Sequence, residues 1–69
     1  GRDREGARKE GEALLASHPD NVDVLALNAN IELLDGNFAK AGELIDKALG
    51  LQSDSDRLYS IRGRLLAAK

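Results

Sequence analysis

The sequence predicts an all-α protein of four antiparallel helices, and three features of its pattern indicate this. Apolar residues recur every three or four positions along the chain, and no stretch alternates between apolar and polar residues as a half-buried strand would. Pro19 and Gly36 stand where such helices would end. The predicted connections are short, so that each helix must turn back along the one before it.

The first two helices are placed by the residues expected to end them, Pro19 and Gly36. The first helix is expected at about residues 4–17, because Pro19 lacks an amide hydrogen and keeps its predecessor out of helical geometry. Asp20 or Asn21 then caps a second helix, expected at residues 21–34. After it, Gly36 suits the left-handed conformation that closes a helix.

Capping residues also place the two later helices. The third is expected at residues 38–51, with Asn37 as its cap, until the segment "QSDSD" breaks the apolar pattern. Ser53 and Asp56 lie three residues apart and form an acidic version of the capping box. The fourth helix is therefore expected at residues 55–68.

Composition limits the classes of function. The chain of 69 residues makes a single small domain, with 10 Lys and Arg against 12 Asp and Glu and no Cys. This slight excess of acid, with one Tyr, one Phe and no Trp, argues against nucleic-acid binding. No apolar run is long enough for membrane insertion, and no signal peptide opens the chain. A soluble protein of the cytoplasm or periplasm is expected.

A shift of 34 residues superimposes residues of like size and polarity. The pairs include Ala7 with Ala41, Leu15 with Leu49, Val24 with Leu58, Leu27 with Ile61, and Ile31 with Leu65. A period of this length, with one helix pair in each unit, resembles the tetratricopeptide repeat (TPR) family. The complete unit, residues 22–55, carries small, turn and apolar residues of that family's pattern: Ala29, Gly36, Phe38, Ala41, Ile45, Ala48 and Leu49.

The same unit departs from the family at four positions. Leu25 replaces a frequent Trp, Asn28 and Glu32 replace residues that are commonly apolar, and Ser53 replaces the usual proline. Asn28 is expected at an edge of the domain that is exposed to solvent or covered by another chain. Gly63 is expected to allow a close approach between helices that offsets its low helix propensity.

The resemblance also implies that the chain is cut out of phase with the repeat. Its first helix corresponds to the second helix of a repeat, and its last helix corresponds to the first helix of a repeat. Repeat arrays need about three units to be stable. Either the chain is a fragment of a longer array, with flanking repeats, or its open ends make a homo-oligomer. Leu58, Ile61 and Leu65 are the residues expected to carry self-association.

Four polar residues form the predicted binding stripe. The resemblance places Asp23 and Asn30 of the second helix, with Arg57 and Arg64 of the fourth, on the concave surface, where TPR domains hold extended peptides. An Asn side chain can donate to and accept from a peptide backbone, and Arg can bind a carboxylate through two hydrogen bonds. The alternative is a solvated face with no ligand.

Other candidate sites are weaker. The carboxylate clamp of some TPR domains is mostly absent, because Ala26, Leu27 and Ile61 stand where it has polar or basic residues. His18 has no second His or Cys with which to bind a metal or to form a catalytic set. Glu32 and Asp35 are interpreted as hydrated surface carboxylates.

The sequence therefore predicts a non-enzymatic scaffold, with no cofactor, whose partner is a peptide or a protein. The alternative is a self-assembly module that dimerises or polymerises through open helical ends. A regulatory appendage of an enzyme in a longer chain would carry the same features. The residues do not identify the partner.

Overall fold

The computed structural model describes residues 2–68, with side chains from residue 5 onward. Its helices are α1 (Arg2–Ser17), α2 (Val22–Leu34), α3 (Phe38–Leu51) and α4 (Asp56–Ala68), and no strand occurs among these residues. The predicted all-α fold of four helices is confirmed. The observed helix ends lie within two residues of the predicted ones.

Helix α2 is the centre of the fold. It packs against α1, α3 and α4, and α3 also packs against α4, whereas α1 reaches neither α3 nor α4 within residues 2–68. Its apolar side chains surround most of its circumference, which is why it can be buried on several sides at once. The core joins α2, α3 and α4 through Leu25, Ala26, Ala29, Ile45, Ala48, Leu58 and Ile61.

The turns follow local capping chemistry, with two corrections. Asn37 stands before α3 as expected, but its side chain makes no capping hydrogen bond and donates to Glu32 instead. The Asn21 side chain accepts a hydrogen bond from the Val24 amide at 3.2 Å and caps α2. Gly36 has φ +82°, the left-handed conformation expected of it. The expected cap at Ser53 was wrong: the Ser55 hydroxyl accepts the Leu58 amide hydrogen at 3.3 Å, because α4 begins at Asp56.

The closest approach between helices lies at Gly11 rather than at Gly63. A Cβ atom added to Gly11 would lie 2.9 Å from Asn28 Oδ1 and 3.0 Å from Ile31 Cδ1, whereas one added to Gly63 meets nothing within 4 Å. The expectation for Gly63 therefore fails inside the single chain. Gly11 instead lets the backbone of α1 approach the side chains of α2.

Candidate functional site

The predicted binding residues of α2 and α4 lie on neighbouring helices. Arg57 Nη1 lies 3.1 Å from Asp23 Oδ1, although the two residues are 34 positions apart. Both side chains are exposed, so the ion pair contributes little to stability. The contact nevertheless shows which sides of α2 and α4 adjoin.

Asn30 and Arg64 extend this pair along the same two helices. Each lies seven residues after its neighbour, Asn30 after Asp23 and Arg64 after Arg57, which is about two helical turns. Asn30 is half-buried and Arg64 is exposed, and neither side chain has a hydrogen-bond or ion-pair partner among the described residues. We refer to these four residues as the polar face.

A second polar group joins α1 to the α2–α3 turn. Arg8 donates two hydrogen bonds to Glu32, at 2.6 and 3.3 Å, and a third to Asp35. Asn37 Nδ2 donates to Glu32 at 3.1 Å, and Lys40 Nζ lies 3.3 Å from the same carboxylate. The interpretation of the two acids as hydrated surface groups was therefore wrong. We call these five residues the Arg8 cluster.

Charge within the cluster is mutually compensated. Burial of Glu32 raises the pKa of its carboxyl group, but hydrogen bonds from Arg8, Asn37 and Lys40 lower it, and the net pKa lies below the usual value. Hydrogen bonds to Asp35 and Glu32 raise the pKa of Arg8. An ionised Glu32, only 4% exposed, is thus held by donors from both neighbouring helices.

The open depression beside this cluster, roughly 620 Å³, is lined by Arg8, Glu32, Asn37, Lys40 and the start of α3. Its charged groups already satisfy one another, which is typical of a structural ion network rather than of a catalytic centre. The sequence did not single out Arg8. The available signal was that Arg8 lies one turn before Gly11 on the same side of α1, while Glu32 and Asp35 lie three residues apart at the end of α2.

Asn28 is buried between α1 and α2, which corrects the expectation of a wet or externally covered edge. It is 6% exposed, and its Nδ2 donates to the carbonyl oxygens of Gly11 and Val24, both at 2.9 Å. An amide can be buried here because the α1 backbone, brought close by Gly11, supplies an acceptor.

The residues expected to carry self-association are also buried. Leu58, Ile61 and Leu65 are at most 5% exposed within the single chain, so a second copy cannot reach them. They lie on the side of α4 that packs against α2 and α3. The large apolar side chains that remain exposed are Leu14, Leu27, Leu34, Leu51, Tyr59 and Leu66.

Other site types find no support in the part of the chain that the structure describes. Among the side chains described, those of residues 5–68, no group of three or more His, Cys, Asp or Glu is placed to bind a metal ion. None of the described helices is long and apolar enough to cross a membrane. Comparison with protein-family models, with curated proteins and with solved structures finds no match. The functional interpretation therefore depends on the geometry of the chain itself.

Proposed function

We propose that the chain is a TPR-type segment that acts as a non-enzymatic scaffold and binds an extended peptide or protein segment on the polar face. The observation that carries this proposal is the contact between Asp23 and Arg57. It marks where the outward sides of α2 and α4 adjoin, and the seven-residue spacing supports a surface shared by Asn30 and Arg64. The order of helix packing, with α2 against α4, also supports a repeat architecture.

The chemistry of the polar face favours an acidic ligand. Asp23 is neutralised by Arg57, which leaves Arg64 as a cation without a partner among the described residues. Asn30 offers both a donor and an acceptor to a peptide backbone, and Arg64 can bind a carboxylate through two parallel hydrogen bonds. The expected ligand is an extended peptide with an Asp, a Glu or a terminal carboxylate opposite Arg64.

An array of short synthetic peptides of varied charge tests this proposal by fluorescence anisotropy. Acidic peptides should bind, and the double variant Asn30→Ala, Arg64→Ala should bind them at least about tenfold more weakly, since a hydrogen bond to a charged group contributes about 1.5–3 kcal/mol. Arg62→Ala is the matched control, because it removes an exposed arginine from another side of α4. Equal losses in both variants, or equal binding of neutral peptides, would contradict the proposal.

Self-assembly is the second candidate function. The exposure of Leu14, Tyr59 and Leu66, on helices that each lack a neighbour on one side, is the observation that favours it. Flanking repeats of a longer chain would cover the same side chains.

A further inference from the structure

Positions that are buried in the α2–α3 contact recur 34 residues later on an open side of α4. Leu25, Ala29 and Glu32 lie on the side of α2 that faces α3, where all three are buried and Glu32 contacts Lys40. Their counterparts on α4 are Tyr59, Gly63 and Leu66, which are all exposed. Tyr59 is 51% and Leu66 61% exposed, so this α4 stripe resembles a helix interface without its second half.

The missing half is present at the other end of the chain. Ala41 and Ala48 of α3 are buried in the core, and their counterparts on α1, Ala7 and Leu14, are exposed. Leu27 of α2 is the counterpart of Ile61, and it is 39% exposed where Ile61 is buried. Since Gly11 of α1 meets Asn28 and Ile31 of α2, helical spacing places Leu14 and Leu27 on the same side of this helix pair. Ala7, Leu14 and Leu27 thus form an α1/α2 groove.

We propose that the α4 stripe of one copy of this chain docks into the α1/α2 groove of a second copy, head to tail. The contact reproduces between copies the packing that α2 makes with α3 and α4 inside each copy. Because the two surfaces differ, the contact is heterologous, and it joins copies into a row rather than a closed pair. The α4 stripe and the α1/α2 groove share no residue with the polar face, although Asp23 and Arg57 lie beside the contact, and the contact does not depend on peptide binding.

Charge complementarity favours a second copy as the occupant. Inside one copy Asp23 of α2 meets Arg57 of α4, and these two residues are themselves 34 positions apart. In the head-to-tail contact Arg57 of one copy therefore lies next to Asp23 of the other, so that opposite charges meet again. Glu32 and Lys40 contact each other inside one copy, and their counterparts in the contact between copies are Leu66 and Gly6. Neither counterpart is charged, so the contact buries no unpaired charge at this position.

Gly63 is consistent with this arrangement. It lowers the helix propensity of α4 relative to alanine. A Cβ there would meet nothing within 4 Å in the single chain. Its counterpart Ala29 is fully buried, so a neighbouring helix at the α4 stripe would lie close to the Gly63 backbone.

Sedimentation velocity over a concentration series tests the proposal. As the concentration increases, the average mass of the unmodified chain should rise from 7.4 kDa to more than twice that value, without a plateau at the mass of a dimer. Leu66→Glu and Leu14→Glu should each remain monomeric, because each places a charge in one half of the contact. Leu51→Glu is the control, since Leu51 is equally exposed but belongs to neither surface, and it should assemble as the unmodified chain does.

Mixing the two monomeric variants identifies the heterologous contact. Leu66→Glu keeps its groove and Leu14→Glu keeps its α4 stripe, so the mixture should form a heterodimer of about 14.8 kDa, twice 7.4 kDa, and nothing larger. A mixture that stays monomeric overturns the proposal. Assembly of either variant on its own also overturns it, because that result requires a contact between identical surfaces.

Gly63→Gln separates assembly from folding. Measured by circular dichroism at dilution, its melting temperature should equal or exceed that of the unmodified chain, because glutamine favours a helix. Its assembly should nevertheless be lost, because the new side chain occupies the stripe. A Gly63→Gln variant that assembles normally overturns the proposal, and so does an unmodified chain that stays at 7.4 kDa throughout, which would assign these faces to flanking repeats or to another protein.

Discussion

Replacement of Gly11 by alanine tests the packing of α1 on α2. The new Cβ would lie 2.9 Å from Asn28 Oδ1 and 3.0 Å from Ile31 Cδ1, distances at which something must shift. The nearer atom belongs to a short, buried amide side chain, Asn28, that is itself hydrogen-bonded to the Gly11 carbonyl oxygen. Relief of the overlap therefore displaces that bond.

The net effect of Gly11→Ala is a loss of stability. Overpacking of this kind costs about 1–3 kcal/mol, and the strained hydrogen bond adds about 1 kcal/mol. The higher helix propensity of alanine returns about 1 kcal/mol. We expect a net loss of about 1–3 kcal/mol, which lowers the melting temperature of a domain of this size by about 4–24 °C.

Thermal and urea unfolding followed by circular dichroism measure this loss. Gly6→Ala is the matched control, because a Cβ there meets nothing within 4 Å, and it should stabilise α1. The double variant Gly11→Ala, Asn28→Ala should recover part of the loss, since the smaller side chain removes the amide oxygen. A Gly11→Ala protein as stable as the unmodified chain would refute the packing described for α1 and α2.

Three further predictions concern charge and caps. The pKa of Glu32 is lowered in the folded state, so its contribution to stability is complete above the unfolded pKa and is lost as pH falls through the folded pKa. The urea midpoint of Glu32→Gln should therefore fall less steeply with decreasing pH than that of Glu43→Gln. Equal slopes in the two variants would contradict the role of the Arg8 cluster. Gly36→Ala should lower the free energy of unfolding by about 1–2 kcal/mol in urea titrations, because alanine is strained at positive φ; an unchanged midpoint would refute this. Ser55→Ala should cost about 1 kcal/mol in the same assay and Ser53→Ala almost nothing, because only Ser55 caps α4; the reverse order would restore the cap that the sequence predicted.

The sequence by itself determined the helices and most of their ends. The spacing of apolar residues every three or four positions depends only on the local geometry of a helix. The left-handed backbone conformation at Gly36, with φ +82°, is also a local requirement of the helix end. The cap of α4 was misplaced by two residues because Ser53 and Ser55 offer similar local chemistry. Which hydroxyl reaches an amide depends on where the core begins to hold α4, at Leu58.

The fate of the polar residues within α2 was decided by tertiary structure. Asn28 and Glu32 look like surface residues in a helical projection, yet both are buried. A backbone carbonyl of Gly11 and the guanidinium of Arg8, each more than a dozen residues away, supply the partners that make this burial tolerable. No local pattern specifies such partners.

The surfaces of α4 show the same division. The sequence shows that α4 carries apolar side chains on more than one side, but not which of these sides packs against another helix. Packing against α2 and α3 takes Leu58, Ile61 and Leu65 inward and leaves Tyr59 and Leu66 exposed. The sequence defines the stripes of a helix through its 3.6-residue period, whereas the tertiary structure decides which stripes are covered, because burial depends on the helices that surround them.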